Sequence, residues 1–262
     1  MSTHKITIAL AGNPNSGKTT IFNALTGAHQ KVGNWSGVTV EKKEGIAHCG
    51  EIEFHIVDLP GTYSLSAFSM EEKVARDFIL SGEADVTCVV VDAGNLDRNL
   101  YLVAQLLEME TPLLVIFNMM DEVENRGIRI DIEKISRLFA VPVIPTIANR
   151  GKGLNEILDT VSKIADGDLT VRPATVHYPK EIENAIAQLE KNIIPPSCGL
   201  KSCPSKWMAL KLLENDSEVR RLFKDQPSAL ALADELRKSI SQIFKDDPEM
   251  IVTDHRYGFV NG

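Results

Sequence analysis

Through about residue 165, short apolar runs alternate with amphipathic ones. Compact apolar runs bounded by turn residues read as strands at 5–11, 38–48, 51–57, 86–92, 113–118 and 142–146. Apolar positions at helical spacing predict helices at 17–27, 70–81, 95–110, 131–139 and 153–166. Such alternation implies an α/β unit with a mostly parallel sheet and helices on both faces. Only Cys49-Gly50 separates the runs 38–48 and 51–57, a connection too short for anything but an antiparallel hairpin. The expected sheet is therefore six-stranded, with one antiparallel strand at its edge. Beyond this point the pattern is helical throughout, at 179–193, 205–214, 216–223, 227–245 and 248–255. Pro195, Pro196 and Pro204 break it between helices. Residues 167–173 read as a linker, which gives expected domains at 1–166 and 167–262.

Ligands of such sheets bind beyond the carboxyl ends of the strands, and the polar motifs fall there. Gly12-Asn13-Pro14-Asn15-Ser16-Gly17-Lys18-Thr19, followed by Thr20, matches the phosphate-loop pattern G-x-x-x-x-G-K-[ST] between a strand and a helix. In that pattern backbone N–H groups and the helix N-terminus hold a polyphosphate. Lys18 would reach the β- and γ-phosphates, and the Thr19 hydroxyl would hold Mg²⁺. The plain alternative is a glycine-rich turn. Asp58-Leu59-Pro60-Gly61 ends the strand at 51–57, where Asp58 suits a Mg²⁺ contact and the Gly61 N–H a γ-phosphate. A D-x-P-G sequence by itself means only a turn.

Asn118-Met119-Met120-Asp121 matches the N-[KM]-x-D pattern by which GTPases read guanine. A carboxylate accepts from both the N1–H and the 2-amino group of guanine, a donor pair that adenine lacks. Its alternative is an ordinary helix cap at Asp121. Val32-Gly33-Asn34-Trp35-Ser36-Gly37-Val38-Thr39 reads as a polar loop in the place of a nucleotide-dependent switch, with Thr39 reaching Mg²⁺ and the γ-phosphate. Trp35 reads equally as a core anchor. Residues 61–69 form the second switch candidate.

Composition narrows the partners. The chain has 262 residues, 44% hydrophobic and 24% charged, enough to bury a core without disulfides. A net charge of −8 argues against a nucleic-acid partner, which would call for surplus Lys and Arg. Of the four cysteines, Cys49 and Cys88 fall in strand-like runs, while Cys198 and Cys203 make a C-x4-C pair that is a weak metal signal. The first residues run straight into a strand, so no secretory signal is expected. No run approaches the roughly 18 apolar residues of a membrane span.

The motifs together carry a resemblance. The stretches 12–19, 32–41, 58–65, 71–77 and 92–101, with Asn118-Met-Met-Asp121, resemble the cytosolic N-terminal region of ferrous iron transport protein B, the FeoB family. The resemblance implies a P-loop GTPase fold, Mg²⁺-dependent hydrolysis of GTP to GDP, and a helical domain that acts like a GDP-dissociation inhibitor. It also implies regulation of ferrous iron uptake at the cytoplasmic face of a bacterial inner membrane. The partner there is the chain's own membrane transport region, absent from this sequence. A homo-oligomer is left open.

Expected nucleotide contacts are residues 12–20, Gly37, Val38, Thr39, residues 58–61, Asn118, Met119 and Asp121. Thr146, Ile147 and Ala148 fill the fifth guanine motif only loosely, with backbone N–H groups of Thr146 and Ala148 on guanine O6. Asn15, Lys18, Thr39 and Gly61 would serve hydrolysis, with Mg²⁺ on Thr19, Thr39 and Asp58. Thr62, Tyr63 and Ser64 follow Gly61 where many GTPases carry a water-orienting Gln. Proteins of this pattern resemble potassium-activated GTPases, which implies K⁺ on Asn15 and the carbonyls near Gly33 and Trp35. Asn15 also reads simply as a loop former. The rivals are a ribosome- or tRNA-associated GTPase, a general NTPase that also takes ATP, and an iron-binding module.

Overall fold

The computed structural model describes residues 4–27, 29–66, 68–194 and 204–261. Cys198 and Cys203 lie outside the described residues. The chain folds as two compact units that divide between Ala174 and Thr175.

In the first unit seven strands form one sheet: β1 (His4–Gly12), β2 (Gln30–Asn34), β3 (Glu41–Cys49), β4 (Ile52–Asp58), β5 (Val86–Asp92), β6 (Leu113–Asn118) and β7 (Val143–Pro145). Their order is β2-β3-β4-β1-β5-β6-β7. Pairing is parallel from β4 through β1, β5 and β6 to β7, while β3 runs antiparallel to both β2 and β4. The sheet thus has seven strands rather than six, and the reversed strand β3 is not its edge. The extra strand β2 lies in the segment read as loop, and β3 begins at Glu41 rather than at residue 38. All five β2 residues are exposed. The strand is held by backbone pairing, Gly33 opposite Lys42, and carries no alternation of apolar and polar positions to betray it.

Strand β6 is buried at every position and β5 at all but its last, as both-face coverage by helices requires. The helices are α1 (Lys18–Thr26), α2 (Met70–Ser81), α3 (Leu96–Glu108), α4 (Met120–Asn125), α5 (Ile132–Phe139) and α6 (Leu154–Ala165). Ser69 and Glu72 form a capping box that starts α2. Ile8, Phe22, Phe54, Ile116 and Val161 belong to one core cluster. Cys88 is fully buried there, and burial pushes its thiol pKa far up, so it acts as a small apolar side chain. The expected linker at 167–173 runs along this unit. Leu169 N–H donates to the Lys163 carbonyl, Ala174 N–H to that of Phe139, and Val171 packs on the core.

The second unit contains α7 (Lys180–Asn192), α8 (Ser205–Leu213), α9 (Ser217–Leu222), α10 (Pro227–Phe244) and α11 (Pro248–Asn261). Its core includes Ile186, Leu189, Trp207, Leu212 and Phe223. Inside it Arg256 grips Glu214 with two hydrogen bonds of 2.5 and 3.2 Å, and Lys211 reaches the same carboxylate at 2.8 Å. Burial pushes the Glu214 pKa up, but Arg256 and Lys211 outweigh it and hold the group at about 2. Among the described residues no helix is long and apolar enough to cross a membrane.

Candidate functional site

The site grows from the end of β1. The strand delivers Gly12 and a turn that becomes α1 at Lys18. Gly17 stands at φ 85°, and a Cβ there would lie 2.1 Å from Asn118 Nδ2, so only glycine fits both the backbone and its neighbour. Asn15 takes a left-handed conformation at φ 67°, which Asn tolerates better than most residues. No side chain caps α1 and no acidic residue occupies its first turn, so its N–H groups and dipole are left to a ligand. Buried Asn13 Oδ1 and Ser16 Oγ have no protein partner among the described residues.

Backbone hydrogen bonds bring the end of β4 beside this loop. Leu59 N–H donates to the Leu10 carbonyl at 3.0 Å and Thr62 N–H to that of Gly12 at 3.2 Å. The result is an open cleft of about 560 Å³ lined by Asn13, Pro14, Asn15, Gly17, Lys18, Thr19, Thr20, Gly61 and Met119. Lys18 donates a short hydrogen bond to the Asp58 carboxylate, and the two residues are 9% and 7% exposed. Leu59 is core, and with Pro60 it turns the chain rather than lining the cleft.

A second cleft of about 140 Å³ is lined by Gly17, Thr20, Asn118, Met119, Asp121, Glu122, Ile147, Ala148 and Asn149. Asn118 braces it. Its Nδ2 donates to the Ser16 carbonyl at 3.2 Å, and its Oδ1 accepts from Thr146 Oγ1 at 3.2 Å and from Ala148 N–H at 3.1 Å. Asp121 faces Arg150 across 3.4 Å. The fifth motif departs from expectation. Thr146 is buried and its N–H is committed to the Phe117 carbonyl, while the Ala148 N–H is committed to Asn118. Neither N–H is free for a base oxygen, because Asn118 and β6 use both to hold the segment in place. Glu122, Asn149 and Arg150 were not read from the sequence; no motif marks them.

The first switch residues are not gathered. Gly33, Trp35, Gly37, Val38 and Thr39 line neither cleft. Gly33 is paired in β2, and the Trp35 ring packs edge-on against Phe78 of α2 at 5.3 Å, with the Lys42 ammonium 4.8 Å above it. Trp35 N–H donates to the Val40 carbonyl and Val38 N–H to that of Trp35, closing a tight loop that leaves Thr39 exposed. Trp35 is an anchor here, against α2.

For a magnesium ion Thr19 offers a hydroxyl in the cleft, and Asp58, bonded to the cleft residue Lys18, a carboxylate; both are hard oxygen donors that fit it. Thr39 does not join them. Of the expected potassium ligands only Asn15 lines the cleft, so the residues present do not make a potassium site in this conformation.

Residues 6–161 match the family model for ferrous iron transport protein B, and residues 178–262 match that for the FeoB cytosolic helical domain. The chain belongs to the FeoB family. An Fe(2+) transport protein A/Fe(2+) transporter FeoB fusion protein of Porphyromonas gingivalis is 43% identical over 99% of this chain and 32% of its own length. The Fe(2+) transporter FeoB of Escherichia coli K12 is 42% identical over 97% of this chain and 32% of its own. The chain thus spans about a third of the length of these FeoB relatives. Among solved structures, a mutant S. thermophilus NFeoB bound to mGDP is 37% identical with a TM-score of 0.89, covering 98% of this chain and 97% of that one. The cytosolic domain of T. maritima FeoB in GMPPNP form is 32% identical with a TM-score of 0.84, covering 98% of this chain and 96% of that one.

Proposed function

We propose that this chain binds GTP and hydrolyses it to GDP and phosphate, as the regulatory part of a transporter that carries ferrous iron across a bacterial inner membrane. One observation carries the reading. The cleft at the phosphate loop and the cleft at Asp121 share Gly17, Thr20 and Met119, so one ligand can place a polyphosphate in the first and a planar base in the second. The relatives bound to mGDP and in GMPPNP form support it, as does Asp121, whose carboxylate matches the N1–H and 2-amino donors of guanine.

On binding, the phosphates take the uncapped N–H groups of α1, and Lys18 turns from Asp58 to the β- and γ-oxygens. That exchange would leave the Asp58 carboxylate and the Thr19 hydroxyl to hold a magnesium ion, which would supply neutralisation of charge on the phosphates. Gly61 N–H faces the γ-phosphate from the other wall. Thr62 spends its N–H on Gly12, and no Gln follows Gly61, so intrinsic turnover would be slow or another device would orient the attacking water. Thr39 reaches the γ-phosphate only after its segment leaves α2. The helical unit would favour the GDP-bound state, and the membrane transport region of the longer protein would receive the signal.

The test is turnover of GTP and ATP by this chain with Mg²⁺, in KCl and in NaCl, for wild type, Asp121→Ala and Asn15→Ala. Hydrolysis of GTP over ATP, lost with Asp121, supports the reading. Equal use of ATP favours a general NTPase, and no hydrolysis with no GDP binding overturns it. A KCl stimulation that survives in Asn15→Ala removes Asn15 from any potassium site.

A further inference from the structure

Arg98, in the first turn of α3, touches both walls of the phosphate cleft indirectly. Its carbonyl accepts from Asn13 Nδ2 at 3.1 Å, which ties α3 to the phosphate loop. Its guanidinium lies 4.2 Å over the ring of Tyr63, two residues beyond Gly61. Two turns further along the same face, buried Gln105 accepts from Leu65 N–H at 2.8 Å. The segment 61–65 is therefore pinned to α3 at two points, and only the Tyr63 pin is a side-chain contact on the solvent side. Tyr63 occupies the neighbourhood where many GTPases place a water-orienting Gln, yet its ring faces Arg98, and its phenol is not gathered into the cleft.

We propose that Arg98 is a positioning residue for hydrolysis: through its cation–π contact with Tyr63 it holds the 61–65 segment so that Gly61 stays aligned with the phosphate loop. This rests on the GTPase reading above. The physical case is geometric. Gly61 has no side chain with which to fix itself, and Thr62 contributes one backbone bond to Gly12. Ser64 ties the stretch to α2, its Oγ donating to Glu72 Oε1 at 2.6 Å, and Tyr63 on Arg98 ties it to α3 on the side of the phosphate loop. The contact acts through another group and does not itself meet the nucleotide, because Arg98 lines neither cleft.

The experiment is a double-mutant cycle with Arg98→Ala and Tyr63→Leu, which leaves the Arg98 carbonyl and its bond from Asn13 intact. Each single variant should lower kcat for GTP by about two- to fivefold, the size of an exposed cation–π contact, with KM and GDP affinity unchanged. The double variant should fall no further than either single one. Tyr63→Phe and Tyr63→Trp should keep the wild-type rate. Amide exchange of residues 61–65 should rise in Arg98→Ala at an unchanged melting temperature. Independent, additive losses, a wild-type kcat in Arg98→Ala, or a parallel loss of GDP affinity each overturn the proposal. Should the wild-type chain hydrolyse no GTP, the GTPase reading fails, and the exchange measurement still decides whether Arg98 holds the segment.

Discussion

Lys18 in the first unit and Lys211 in the second are both buried lysines against a carboxylate, at 9% and 2% exposure. The resemblance ends at their surroundings. Lys211 shares Glu214 with Arg256, which is 0% exposed, so the charges of that cluster are met by protein groups inside the core. Lys18 lines an open cleft of about 560 Å³ and is paired there with Asp58, whose charge Lys43 of β3 also feels. A buried charge must be paired or remain hydrated. The second unit meets that demand permanently, whereas the first meets it provisionally, with a partner that a phosphate oxygen can replace. One arrangement is structural, and on the proposed GTPase reading the other is a site held ready for a ligand.

The sharpest break in this comparison is at Glu214. Glu214→Ala removes the buried carboxylate that Arg256 and Lys211 share, and should destabilise the second unit by about 3–5 kcal/mol while GDP affinity stays at wild type. Urea unfolding followed by Trp207 fluorescence measures it. An unfolding midpoint equal to wild type would show that the cluster is dispensable. The pH dependence follows from the same group. Its folded pKa, about 2, lies below the ordinary 4.5, so its contribution is present in full above about pH 4.5 and is lost as pH falls from there toward 2. Acid unfolding of the second unit should therefore shift upward in pH, or vanish as a separate step, in the variant.

At the other pole, Lys18→Ala should lower GDP affinity by about 10- to 100-fold, the worth of a hydrogen bond to a charged group. The melting temperature should barely change, since water in the cleft can solvate the Asp58 left behind. A large fall in melting temperature with modest loss of binding would reverse the contrast and make Lys18–Asp58 a structural pair. Titration calorimetry and thermal melts on the same sample separate the two results.

How much of this was legible in the sequence follows the physics of each element. The phosphate loop, Asp58 and Asp121 could be read because their chemistry fixes residue types at short spacing, and flanking strands buried on both faces announce themselves as apolar runs. Strand β2 could not be read: its Gln30, Lys31, Gly33 and Asn34 are exposed and are held only through the backbone of β3. Helix α4 was also missed, being six residues long behind Met119 at φ 61°. The partners of the Thr146 and Ala148 N–H groups were hidden for a related reason. Whether a backbone N–H is free depends on its tertiary partner, and Asn118 and Phe117 take both here. Four helices of the second unit lie within a residue of their expected ends, while α11 runs to Asn261, six residues past its expected end, and the ion cluster among them was invisible, since Lys211, Glu214 and Arg256 come together only through packing.

The first switch segment offers the smallest and most delicate test, because it lies between the two poles. Its anchor is the edge-on contact of Trp35 with Phe78 at 5.3 Å, with Lys42 above the ring, and while that holds, Thr39 stays away from the cleft. An aromatic pair of this kind is worth about 0.5–1.5 kcal/mol beyond its area. A ligand shifts such an equilibrium only through its differential affinity for the two arrangements. GDP has no γ-phosphate to recruit Thr39, whereas a GTP analogue has. Trp35→Ala should thus tighten binding of a non-hydrolysable GTP analogue by about two- to tenfold while GDP affinity stays constant, and Trp35→Phe should lie between. Equal tightening of both nucleotides would mean that the segment acts on the cleft as a whole. No change in either would mean that the Trp35 contact only covers Phe78 and does not restrain Thr39.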